Sequence, residues 1–102
     1  MKTARWLLLF LLATVSSWAD VVLYYLPQCP YSRQVLDYLE QIGKTVTLKN
    51  VQGSEQLKEE LVAVGGRAQV PCLVVDGQAL YNADAIIEWL SEHQEILGKG
   101  RP

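Results

Sequence analysis

Hydrophobic positions along this chain fall into successive patterns, and each predicts an element. Residues 21–26 are apolar and β-rich at every position and stop at Pro27, the pattern of a strand buried on both faces. Beyond Pro30, Val35, Leu36, Leu39 and Ile42 recur at helical spacing and Gly43 follows, which predicts a helix over 31–42. Residues 45–51 alternate, with Val46, Leu48 and Asn50 on one side and Thr47, Lys49 and Val51 on the other, as in a second strand. Ser54 is placed to cap a helix carrying Leu57, Leu61 and Val64 and ended by Gly65 and Gly66. Residues 70–75 form a third strand, Asp76 and Gly77 a tight hairpin turn, and 78–81 a fourth strand. Asn82 then caps a last helix with Ile86, Ile87, Trp89 and Leu90 toward the core, running to Gly98 before a short polar tail. The order βαβαββα predicts an α/β domain with a four-stranded mixed sheet and about three helices.

The first nineteen residues follow a different rule. Lys2 and Arg5 precede an unbroken apolar run over 6–13, which fades through Thr14, Val15, Ser16 and Ser17 to small residues flanking Trp18. A charged start, a short apolar stretch and small residues before Asp20 match a signal peptide removed after Ala19, so the chain is expected to be exported, to a periplasm or outside the cell. The competing expectation is an uncleaved membrane anchor, although the run is shorter than the ~20 residues of a span.

Residues 20–102 are enough for one domain. Without Lys2 and Arg5 the formal charge goes from −2 to −4 and no basic cluster remains, which argues against a nucleic-acid partner. Nothing in the composition demands a second subunit, and a monomer is expected. The two cysteines, Cys29 and Cys72, make at most one bridge, and their settings do not match as a structural pair.

Cys29 lies between a buried strand and a helix, with Pro30 in the first turn, where a missing N–H costs nothing. A thiolate there is stabilised by unpaired N–H groups and the helix dipole, which lowers its pKa and makes it the candidate nucleophile. The plainer alternative is a small buried hydrophobe, the common state of a free cysteine. Arg33, one turn on, either adds positive potential or points to water.

The run Cys29-Pro30-Tyr31-Ser32 at a helix start resembles the glutaredoxin active site Cys-Pro-Tyr-Cys, with serine in the second cysteine's place. Gly66-Arg67-Ala68-Gln69-Val70-Pro71 resembles the family's Gly-Arg-x-Thr-Val-Pro, whose proline is cis, and the likeness extends through Tyr81-Asn82-Ala83-Asp84. It also takes in the N-terminal domain of glutathione transferases. The resemblance implies a thioredoxin-like, glutaredoxin-type fold and glutathione as co-substrate, with no metal. In that frame Cys29 is the nucleophile, Tyr31 walls the glutathione groove, and the backbone of Val70, before Pro71, pairs with the cysteinyl part of glutathione. The N–H groups near Ala83 and Asp84 would receive the γ-glutamyl carboxylate, the Asp84 side chain would lie near its ammonium, and Arg67 would meet the glycyl carboxylate. Leu26 stands where the family carries a lysine, and Gln69 where it carries a threonine.

Ser32 cannot resolve a mixed disulfide, so the resemblance implies a monothiol reaction on glutathionylated proteins. Ser32 either donates a hydrogen bond to the thiolate or is a plain helix-start serine. Cys72, in an apolar strand, reads as a packed core thiol, with a resolving role for Cys29 as the alternative, open only if the Cα atoms come within about 7 Å. Trp89 reads as core, His93 as solvated, and Glu55, Glu59 and Glu60 as a solvated helix face. Three functions remain: a thiol–disulfide oxidoreductase, a non-catalytic module binding glutathione or a peptide, and a carrier sharing an iron–sulfur cluster between two chains.

Overall fold

A strand apolar on both faces must lie inside a sheet, and the computed structural model, which describes residues 20–99, places it there. Strand β1 (Val21–Tyr25) lies between β3 (Thr47–Asn50), parallel to it, and β4 (Cys72–Val75), antiparallel, with β5 (Gln78–Leu80) outermost beyond β4. Helix α1 (Pro30–Ile42) returns the chain from β1 toward β3, α2 (Glu55–Gly65) leads from β3 to β4, and α3 (Ala83–Glu92) follows β5. The four-stranded mixed sheet with three helices is therefore as the sequence predicts. Residues 1–19, with the leader or anchor expected there, lie outside the described residues.

Alternation along the strands sorts the core into two layers. On one face Val21, Leu23 and Leu73 pack with Val35 and Leu39 of α1 and with Ala83, Ile86 and Leu90 of α3. On the other, Tyr24, Cys72 and Val74 pack with Val51 and with Leu61 of α2. Leu23, Val35, Leu61, Leu73, Ile86 and Leu90 are closed to solvent, so this small domain holds its helices chiefly by burying these side chains.

Local punctuation works as expected at most ends. The Ser54 hydroxyl accepts the Leu57 N–H at 3.1 Å, and the Asn82 side chain accepts the Asp84 N–H at 2.9 Å. Gly43 and Gly66 close α1 and α2 at φ 69° and 95°. Asp76 and Gly77 both take positive φ, 49° and 85°, as a two-residue hairpin turn requires.

Several boundaries differ. The segment 45–51 divides into β2 (Lys44–Thr45) and β3, and along β3 the alternation does not translate into burial: Leu48 is exposed on an edge strand, while Val46 and Val51 turn inward. The third strand starts at Cys72 rather than 70, because Pro71 has no N–H for the ladder; the Val70–Pro71 bond is cis. The fourth ends at Leu80. The last helix stops at Glu92, well before Gly98. His93 Nδ1–H donates to the Trp89 carbonyl at 2.8 Å, and the two rings stack with centroids 4.1 Å apart. That carbonyl would otherwise take the His93 backbone N–H, which turns to Leu90 O instead. A 3-10 turn over Gln94–Ile96 follows, and the expected polar tail begins as β6 (Gly98–Lys99), paired with β2. His93 is thus half-buried and structural, not solvated.

Candidate active site

The carboxyl end of β1 leads directly into the site. Cys29 is the N-cap of α1, in extended conformation, with its N–H donated to Leu26 O and its carbonyl accepting Arg33 N–H. Its side chain caps no backbone N–H, and the residue is half-exposed. The nearby Ser32 N–H above all, then the Tyr31 N–H and the Ser32 hydroxyl, favour the thiolate without closing a cap hydrogen bond and hold the thiol below its ordinary pKa, against an opposing contribution from partial burial. This is the helix-start effect expected from Pro30 and its neighbours. Arg33 contributes nothing here, because its guanidinium pairs with Asp37 along the exposed face of α1 at 3.1 Å.

Ser32 is fully buried, and its hydroxyl oxygen accepts the Leu26 N–H at 3.2 Å. A hydroxyl whose oxygen is engaged in this way keeps its proton to donate, and its effect on Cys29 is to lower the thiol pKa.

Two residues on from Cys29, Tyr31 lines a cavity of about 200 Å3 together with Gln69, Val70, Pro71, Asn82 and Ala83; Cys29 and Ser32 are not themselves in the lining. The fold therefore brings together Tyr31, Val70, Pro71 and Ala83 from three separate segments. Arg67 and Asp84 are not in the lining. Arg67 lies over the Tyr81 ring at 4.1 Å and donates through Nε to Gln69 Oε1 at 2.8 Å. Asp84 is exposed and its N–H is already taken by Asn82, so in the first turn of α3 the Ala83 and Ala85 N–H groups are the ones with no partner among the described residues. Gln69 and Asn82 are the lining residues that sequence reasoning did not assign. Gln69 was visible only as a departure from a family pattern, and Asn82 only as a helix cap.

Cys72 is closed to solvent within the layer under α2, whereas α1, which carries Cys29 at its N-cap, packs on the opposite face. Both thiols are free. Burial pushes the Cys72 thiol up, against the Tyr81 hydroxyl, the Leu80 backbone and Arg67, so it is a core thiol as its apolar strand predicts. A larger hollow of about 330 Å3 lies at the other end of β1, among Asp20, Val46, Ile96 and Leu97, remote from either cysteine. Among the described residues no three or more His, Cys, Asp or Glu side chains gather as a metal site would require, and no helix is long and apolar enough to cross a membrane.

A parallel-to-antiparallel sheet with a cysteine at the first helix start and a cis proline entering β4 defines a thioredoxin-like protein. The family model for glutaredoxin matches residues 21–80, well over half of the chain, and the protein belongs to the glutaredoxin family. Glutathione S-transferase D7 of Anopheles gambiae is 38% identical over 71 residues, 68% of this chain but only 33% of that protein. The chain thus spans about a third of the length of the curated relative it matches. Reduced glutaredoxin C1 from Populus tremula x tremuloides superposes with a TM-score of 0.56 at 24% identity, over 76% of this chain and 68% of the other. A buckwheat glutaredoxin–glutathione complex gives 0.57 at 16% identity, over 76% and 73%.

Proposed function

We propose that this protein is an exported monothiol oxidoreductase acting on glutathione mixed disulfides through Cys29. The observation that carries the proposal is a half-exposed thiol at the start of α1, held below its ordinary pKa, whose neighbour at 32 is a buried serine. The Cys29 thiolate attacks the glutathionyl sulfur of a mixed disulfide, and the target protein's sulfur leaves as a thiolate. Cys29 then carries glutathione until the thiolate of a second glutathione attacks it, which releases glutathione disulfide and restores the Cys29 thiolate. Ser32 offers no sulfur for an internal disulfide; its role is to hydrogen-bond the thiolate in both half-reactions.

The 200 Å3 cavity is the seat for the glutathionyl group. The backbone of Val70 would pair with its cysteinyl amide as an added strand, Tyr31 would cover it, and the Ala83 N–H at the start of α3 would meet the γ-glutamyl carboxylate. Arg67 and Asp84 supply charge near the two ends rather than walls. Support comes from family membership and from a family structure solved with glutathione. The leader-like pattern of residues 1–19 supports export.

Turnover of a glutathionylated model disulfide by the protein, compared with Cys29→Ser, tests the proposal. Loss of turnover in the variant is expected; equal rates would refute it.

A further inference from the structure

Tyr81 lines no part of the cavity, yet it is tied to two of the three segments that do. Its hydroxyl donates to the Arg67 carbonyl at 2.8 Å, and its ring carries the Arg67 guanidinium at 4.1 Å. Arg67 in turn donates to Gln69 Oε1 at 2.8 Å, so one aromatic side chain is linked through two contacts to the residue that walls the cavity beside Val70. On its other side Tyr81 is bonded directly to Asn82, which takes φ 74°, lines the cavity and caps α3. The packing allows little slack behind it: a Cβ at Gly65 would collide with the Tyr81 hydroxyl and press on Ala79.

The segment over 66–71 otherwise lacks secondary structure of its own, and Arg67, Ala68 and Gln69 are exposed. Loop backbone with so few buried contacts needs an external tie to keep one shape. We propose that Tyr81 is a positioning residue, a strap that holds the 67–70 backbone and Gln69 at a fixed distance from Asn82 and so sets the width of the cavity. The strap rests on the glutathione reading only in what the cavity receives; its geometry is a property of the free protein.

Tyr81→Phe keeps the ring, its packing and the cation above it, and removes only the hydroxyl. In the reduced, ligand-free protein, amide hydrogen exchange over 67–70 is expected to accelerate in this variant, with α1 unchanged. In turnover, KM for the glutathionylated disulfide is expected to rise about fivefold, the scale of one lost hydrogen bond, with kcat within about twofold and the pH midpoint of Cys29 alkylation unmoved. Tyr81→Leu, which also removes the platform for Arg67, should show the larger effect on both. Unchanged exchange over 67–70 in both variants would overturn the strap, as would faster exchange with KM unaltered. If the wild-type protein does not turn over the disulfide, the proposed function fails, and the exchange measurement alone still decides whether Tyr81 holds the loop.

Discussion

The hydroxyl oxygen of Ser32 accepts the backbone N–H of Leu26 at 3.2 Å, joining the first turn of α1 to the end of β1 across the loop that carries Cys29. One small polar side chain thus closes the strand-to-helix turn and keeps its own proton free to donate. Ser32→Ala is expected to raise the pH midpoint of Cys29 alkylation while leaving the larger backbone contribution from residue 32 in place. It should also cost about 1 kcal/mol in denaturant unfolding, because the part-buried Leu26 N–H loses its acceptor. An unchanged alkylation profile would show that the hydroxyl does not reach the thiolate.

Ser32→Cys would place a second thiol where the hydroxyl lies. After exposure to glutathione disulfide, the wild-type protein should carry one glutathione on Cys29, and Ser32→Cys should collapse to an internal disulfide with the adduct released. Intact mass after acid quenching distinguishes the two. A persistent adduct on the variant would mean that the buried position at 32 is barred to resolution.

The lowered Cys29 pKa has a stability consequence with a definite sign. An acid whose folded pKa lies below its unfolded value, here 9.0, contributes stability that is fully present above the unfolded value and is lost as pH falls through the folded one. Wild type should therefore gain stability relative to Cys29→Ser as pH rises toward 9.0 through that window, with no further change below it. Urea unfolding of both proteins across that range, under reducing conditions, measures the difference.

Glu60 accepts both the Tyr24 hydroxyl at 2.7 Å and the Lys49 ammonium at 2.8 Å, so this part of the acidic face of α2 is tied to the sheet rather than simply solvated. Lys49 first, then Tyr24, lowers the Glu60 carboxyl pKa. The stabilisation is present above the ordinary carboxylate range and lost as pH falls through the depressed value. Tyr24→Phe should destabilise the protein at neutral pH, with the gap to wild type narrowing in acid. A gap independent of pH would remove Glu60 from the account.

Ile86 is closed to solvent where α3 meets α1 and the sheet, and α3 supplies the Asn82–Ala83 wall through its start. Ile86→Ala should cost about 3 kcal/mol in urea unfolding. Gly65→Ala, which forces the Tyr81 hydroxyl aside, should cost about 2 kcal/mol by overpacking. A neutral Gly65→Ala would mean that Tyr81 has room to move.

Short-range features were legible in the residues themselves. The all-apolar run of β1, the helical spacing of Val35 and Leu39, the caps at Ser54 and Asn82, and the Asp76-Gly77 turn each act within a few residues of chain. Cys29 at a helix start is local in the same sense, so its position and the direction of its pKa shift followed from the sequence by itself. Tertiary structure decided the rest. Whether Arg67 meets a ligand or a tyrosine depends on where β5 delivers Tyr81, fourteen residues away. The early end of α3 depends on one ring stacking on another and claiming a carbonyl, and the exposure of Leu48 on β3 being the edge of the sheet. These outcomes turn on which side chains compete for the same donor, acceptor or face, and that competition exists only once the strands are paired and the helices docked.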